Sequence, residues 1–256
     1  IVMMHVSANS SYEIGGFVYN SIIPSFTNFV FLFMVISAFG MCCGYYEKIL
    51  KNEITLEKFY VNDKFEKIIV LCPNQWVNHT ENLIKKYIGE NDKIVVISGG
   101  STRNETIMNA IKFIESEGNL NDDTIIVTHD SVRPFVTNRI IEENIEFAKQ
   151  YGACDTVVPA TDTIVESADN EIISSIPDRS KMYQGQTPQS FNALKLKNIY
   201  NSLTADEKDI LTDAAKIFVI KGEKVALVQG ETYNMKITYP YDLKVAKSLL
   251  EDESDD

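Results

Sequence analysis

Short runs of β-branched and aliphatic residues alternate with amphipathic stretches between residues 67 and 159, and that rhythm leaves few folds open. Residues 67–72, 93–98, 124–127 and 156–159 read as strands, and residues 78–88, 104–115 and 139–151 read as the helices between them. Strands separated by helices of about 10–15 residues predict a parallel sheet whose strands are buried on both sides. The expected fold class is α/β: a Rossmann-like, mostly parallel sheet with helices on both faces and a protruding β-arm.

The arm is the departure from that rhythm. Thr163-Ile164-Val165-Glu166 and Glu171-Ile172-Ile173-Ser174 flank the turn-rich Ser167-Ala168-Asp169-Asn170, a β-hairpin pattern within an arm at about 162–190. An arm of this kind on a parallel fold suggests an oligomer contact. Residues 183–191 are extended, 193–203 and 213–220 helical, 224–229 and 235–238 short strands, and 241–250 a closing helix. Pro240 stands where a helix begins, a position at which its missing N–H costs nothing.

The chain carries a net charge of -12, which disfavours a nucleic-acid partner, since such binding needs a positive footprint. A site for a phosphorylated ligand must then be locally basic within an acidic molecule. Cys42, Cys43, Cys72 and Cys154 show no C-x-x-C spacing, and the histidines are His5, His79 and His129. Neither a zinc site nor a disulfide framework is expected, and reduced thiols point to a cytoplasmic protein.

Residues 1–53 form an atypical apolar segment. No charge occurs from Ile14 to Tyr46, a run longer than the roughly 20 residues that span a bilayer. Two readings stand: a membrane segment at about 26–46, or a buried strand over 29–36 that serves a sheet as a surrogate. Residues 54–250 hold the α/β domain, and 251–256 an acidic tail.

The strand at 124–127 runs into His129, Asp130, Ser131 and Arg133 and stops at Pro134. Loops at the carboxyl ends of parallel strands are where open α/β sheets bind ligands, so this carboxylate and guanidinium could serve a metal ion and a phosphate. An Asp–Arg pair that merely fixes a tight turn is the competing reading. Gly99-Gly100-Ser101-Thr102-Arg103 follows a strand and opens a helix, a place where backbone can approach an anion or a nucleobase closely. A plain strand-to-helix turn with a Ser or Thr cap has the same pattern. Lys236 lies between apolar residues, as a snorkelling lysine or a phosphate contact.

Taken as an ordered set, Gly99-Gly100-x-x-Arg103-x-x-Thr106, His129-Asp130-x-x-Arg133-Pro134, Asp162-Thr163, Arg179, Gln186-Thr187-Pro188-Gln189, Thr212-Asp213 and Asn234-x-Lys236-x-Thr238 resemble the cytidylyltransferases of polyol and isoprenoid pathways. The wording of residues 183–191 and 233–238 looks most like ribitol-5-phosphate cytidylyltransferases, with the methylerythritol-phosphate cytidylyltransferases as sister group. The resemblance covers residues 54–250.

It implies transfer of a cytidylyl group from CTP to a polyol phosphate, with Mg2+ as cofactor. Asp130 would hold the metal. Gly99, Gly100 and Thr106 would meet the nucleotide, with Arg103 supporting their loop, and Arg133 would order the Asp130 turn. Lys236 and Thr187 would contact the polyol phosphate. Thr163 and Arg179, on the arm, would reach the partner's site in a homodimer. A ribitol enzyme would serve teichoic acid or capsule polymers. The family's glycine-rich triphosphate loop, with its arginine and lysine, has no counterpart: Gly15-Gly16 and Gly40-Met41-Cys42-Cys43-Gly44 carry neither cation. A catalytically impaired, nucleotide-binding relative is the alternative this departure raises.

Overall fold

The computed structural model describes residues 2–3 and 65–252. By internal contacts the chain divides into two units. One comprises Ile1–Leu120, Thr128–Pro134 and Lys236–Asp256; the other comprises Asn121–Val127 and Phe135–Met235.

The first unit holds strands β1 (Val2–Met3) and β2 (Ile68–Cys72), helix α1 (Val77–Tyr87), strand β3 (Ile94–Ser98) and helix α2 (Arg103–Ser116). Strand β4 (Ile125–Asp130) contributes its last three residues to this unit. The strand order is β3-β2-β1-β4, and every pair is parallel. The place between β2 and β4 belongs to Val2–Met3. The suggested surrogate strand over 29–36 and the apolar run of 14–46 lie outside the described residues. Among the described residues no helix is long and apolar enough to cross a membrane.

Apolar residues on both sides of β2 explain why it is central. Ile69 and Leu71 pack with Ala110, Phe113 and Ile114 of α2 and with Val95 and Ile97 of β3. Cys72 points the other way, since successive side chains in a strand alternate, and there its sulfur accepts the Thr80 hydroxyl of α1 at 3.6 Å. Helices α1 and α2 therefore cover opposite faces, as the alternating pattern predicts.

The second unit takes the start of β4, helix α3 (Asn138–Tyr151), strands β5 (Ala153–Pro159) and β6 (Tyr183–Asn192), helices α4 (Ala193–Asn201), α5 (Ala205–Asp209) and α6 (Ala215–Ile220), and strand β7 (Ala226–Gln229). Strand β5 lies between β6, antiparallel to it, and β7, parallel to it. The Thr137 hydroxyl caps α3, and Gly152, at φ 84°, ends it in the left-handed region that glycine tolerates. A buried polar network ties the layers together. Asn144 donates to Thr156 Oγ1 at 2.8 Å and accepts from Ser190 Oγ at 3.0 Å, while Thr156 donates to the Pro188 carbonyl at 2.6 Å. Beside it, Phe191 stacks on Phe218 at 5.4 Å between ring centroids.

Two local expectations need correction. Residues 235–238 form no strand: the Thr238 and Tyr239 N–H groups both donate to Asp242, each at 2.7 Å, and so prepare the entry to helix α7 (Pro240–Asp252). The hairpin of 163–174 shrinks to one antiparallel bridge, Glu166 with Ser175, around a turn in which the Asp169 carboxylate accepts the Glu171 and Ile172 N–H groups. Val165, Ile172, Ile173 and Ile176 are exposed, so among the described residues no packed face is available to extend the ladder.

Candidate functional site

In the first unit the end of β3 leads into a loop that closes on itself. Gly99 N–H donates to the Cys72 carbonyl at 2.8 Å, Gly100 N–H to Thr106 Oγ1 at 2.9 Å, and Thr106 Oγ1 donates to the Thr102 carbonyl at 2.8 Å. A Cβ on Gly100 would collide with Glu105 Cβ and lie 2.8 Å from Glu105 C, so only glycine allows this approach. The Ser101 hydroxyl and N–H both bond the Glu105 carboxylate and hold its pKa below the usual range. Thr102 caps α2 by accepting Glu105 N–H at 3.1 Å.

Strand β4 ends at Asp130, which is 5% exposed. Three cations converge on its carboxylate: Arg103 Nη1 at 3.4 Å, Lys236 Nζ at 3.4 Å and Arg133 Nε at 3.6 Å. These distances exceed the roughly 2.7–2.9 Å of a charge-assisted hydrogen bond, so the cations surround the carboxylate without gripping it. Burial opposes the charge of Asp130, but Arg103 and Lys236, followed by His129 and Arg133, outweigh it and hold the pKa below the ordinary value. Among the described residues three cations face this one carboxylate, an arrangement of the locally basic kind expected at a site for a phosphorylated ligand.

The turn beyond Asp130 is held by its backbone. Arg133 N–H donates to the Asp130 carbonyl at 3.0 Å, and Ile237 N–H donates to the Val132 carbonyl at 2.9 Å. His129 Nε2 meets the Arg133 carbonyl at 2.9 Å. A carbonyl only accepts, so the ring carries its proton on Nε2. Burial pushes the His129 pKa down to about 4, against the raising influence of the Arg133 carbonyl and Asp130.

Among the described residues no group of three or more His, Cys, Asp or Glu side chains could hold a metal ion. A single carboxylate beside phosphate oxygens is nevertheless a donor set that suits Mg2+, which keeps few protein ligands. Asp130, ionised and at a strand's carboxyl end, fits that role.

The structure thus brings Gly99, Gly100, Arg103, Thr106, Asp130, Arg133 and Lys236 into one unit, while Thr163, Arg179 and Thr187 belong to the other. There Arg179 donates to the Thr161 carbonyl at 2.9 Å. Thr187 is buried, and its carbonyl accepts Asn234 Nδ2 at 2.9 Å; Asn234 also reaches Gln186 Oε1 at 3.2 Å. The peptide bond between Thr187 and Pro188 is cis.

Sequence reasoning offers an Asp130–Arg133 pair but does not foresee Arg103 and Lys236 at the same carboxylate. It gives no role to Asn104 or Ser131, both buried, whose Oδ1 and Oγ make no hydrogen bond among the described residues. No signal in a single sequence marks such atoms.

The model of the family 2-C-methyl-D-erythritol 4-phosphate cytidylyltransferase matches residues 47–252. A solved Francisella tularensis 2-C-methyl-D-erythritol 4-phosphate cytidylyltransferase is 28% identical, with a TM-score of 0.64, over 76% of this chain and 85% of that one. The Thermus thermophilus enzyme of the same name is 26% identical, with a TM-score of 0.54, over 72% and 81%. The 4-diphosphocytidyl-2C-methyl-D-erythritol synthase of Anaerococcus prevotii, at 24% identity and a TM-score of 0.63 over 77% and 84%, shares the fold.

Proposed function

The chain belongs to the IspD family of cytidylyltransferases, and we propose that it transfers the cytidylyl group of CTP to a polyol phosphate, 2-C-methyl-D-erythritol 4-phosphate being the first acceptor to test. What carries the reading is the buried Asp130 with Arg103, Arg133 and Lys236 around it, next to the Gly99-Gly100 loop. In the reaction an oxygen of the acceptor phosphate attacks the α-phosphorus of CTP. The bond from that phosphorus to the bridging oxygen breaks, and pyrophosphate leaves with the electron pair. Such chemistry asks a protein chiefly to position groups and neutralise charge.

Asp130 would be the protein ligand of Mg2+, and the ion would supply neutralisation of triphosphate charge when bound. Arg103 would sit between the nucleobase loop and the phosphates. Gly99, Gly100 and Thr106 shape that loop so that backbone meets the nucleotide. Arg133 orders the Asp130 turn through its N–H, and Lys236 and Thr187 would bind the acceptor phosphate. Thr163 and Arg179 would serve the site of a second copy, in a homodimer joined through the arm.

Ribitol 5-phosphate is the second acceptor, favoured by the wording of Tyr183–Asn192 and of the segment around Lys236. With it the product would be CDP-ribitol, a precursor of teichoic acid or capsule polymers. The test is pyrophosphate release from CTP with each acceptor in turn. Turnover with one acceptor identifies the substrate; CTP binding without turnover on either would establish a nucleotide-binding relative instead and overturn the enzymatic reading.

A further inference from the structure

We propose that His129 is a positioning residue for cytidylyl transfer, holding the Asp130 turn and, through it, the Lys236 segment in register. The ring does this through the hydrogen bond from Nε2–H to the Arg133 carbonyl at 2.9 Å. That carbonyl precedes Pro134, which has no N–H to offer its surroundings. The same turn is closed from within by Arg133 N–H on the Asp130 carbonyl, and its Val132 carbonyl takes Ile237 N–H at 2.9 Å. Lys236, the residue before Ile237, stands 3.4 Å from Asp130. A chain of three hydrogen bonds therefore runs from the imidazole through the turn to the lysine segment, and the carboxylate lies inside it.

The Nε2–H of the ring stays fixed on the Arg133 carbonyl. Its contribution is orientation, and partners that orient a metal-binding side chain commonly matter about 10- to 100-fold in affinity or activity.

This inference rests on the cytidylyl-transfer reading with Asp130 as its metal-binding carboxylate, so the two are tested by different measurements. Turnover of the wild type with either acceptor tests the reading. The inference is tested by the affinity of the Mn2+–CTP complex, followed by water-proton relaxation in the absence of acceptor. His129→Phe keeps the ring volume and removes the donor; His129→Gln restores an N–H close to the position of Nε2. The expected result is a loss of about 10- to 100-fold in His129→Phe, with recovery to within about threefold in His129→Gln. In turnover, kcat should fall and KM for the acceptor should rise with Phe, since the residue acts through both Asp130 and the Lys236 segment, and both should recover in His129→Gln. Equal Mn2+–CTP affinity in all three proteins overturns the proposal, as does an equal loss in both variants, which would mark a packing role. Nitrogen-15 shifts of the wild-type imidazole need no variant: a protonated Nε2 with an unprotonated Nδ1 supports the proposal, and the opposite tautomer overturns it.

Discussion

Lys236 Nζ stands 3.4 Å from Asp130 Oδ2, closer than Arg133 Nε, although Arg133 is only three residues from the aspartate in sequence. Lys236 is also the more exposed of the two cations, at 43% of its side chain against 11%. In the proposed reaction the more exposed lysine would be the cation to exchange the carboxylate for an incoming phosphate, while Arg133 bonds within the turn.

Asp130→Asn removes the negative charge and keeps the shape. Pyrophosphate release should fall by roughly 10²- to 10³-fold, the scale seen when a charge-stabilising group is lost at a reacting centre. A steady-state assay with saturating CTP and acceptor checks this; turnover within about threefold of wild type would overturn the role proposed for Asp130.

Stability should fall as the pH is lowered through the range of His129. Its folded pKa of about 4 lies below the roughly 6.5 of an unfolded histidine, so between these values the unfolded chain binds more protons. The stabilisation is complete above pH about 6.5 and is lost on acidification toward 4, by up to about 3 kcal/mol. Asp130 acts in the same direction further down, since its depressed pKa gives stability that is present above the unfolded value and lost as pH falls through the folded one. Urea titrations across pH 4 to 8 should show the first slope in the wild type and a flatter profile in His129→Gln.

Gly100→Ala should disturb the loop at its tightest point. The added methyl would meet the backbone of Glu105 and Thr106 at 2.8 and 2.9 Å, where no flexible side chain can give way. A loss of about 1–3 kcal/mol is expected in chemical denaturation, together with weaker CTP binding in calorimetry.

In the second unit, Asn144→Ala would strip partners from Thr156 and Ser190, both fully buried. Losing these bonds costs about 1–3 kcal/mol, although Thr156 keeps its bond to the Pro188 carbonyl, so the urea midpoint should drop with an unchanged slope. An unaltered midpoint would show that the network carries little of the fold.

Ile172→Asp combined with Ile173→Asp places charge on the exposed apolar tip of the arm. If the arm joins two copies, sedimentation should show a monomer with unchanged far-UV dichroism, where the wild type sediments as a dimer. A wild-type monomer would remove the arm's proposed role.

Elements with a strong local period were legible in the sequence: β2, β3, α1, α2 and α3 all lie within a few residues of their expected places. Residues 235–238 misled because the alternation of Met235 and Ile237 with Lys236 and Thr238 imitates a strand. The competing interaction, Asp242 taking two of the N–H groups a ladder would need, comes from the following helix. The arm was legible as a turn, through Asp169 and Asn170, but its ladder depends on neighbours that the turn chemistry does not specify.

For the site, the ordered motifs pointed to a cytidylyltransferase through their resemblance to that family, while the Gly99-Gly100 loop and the Asp130 turn, each read alone, left a plain structural reading open. What only the tertiary structure decided is that Arg103 and Lys236 join Arg133 at one aspartate. Periodicity and capping act over a few residues and are written in the chain locally. Proximity between a helix start, a strand end and a segment far along the chain arises from parallel strand pairing and from the Val132–Ile237 hydrogen bond, and neither leaves a mark on the residues it brings together.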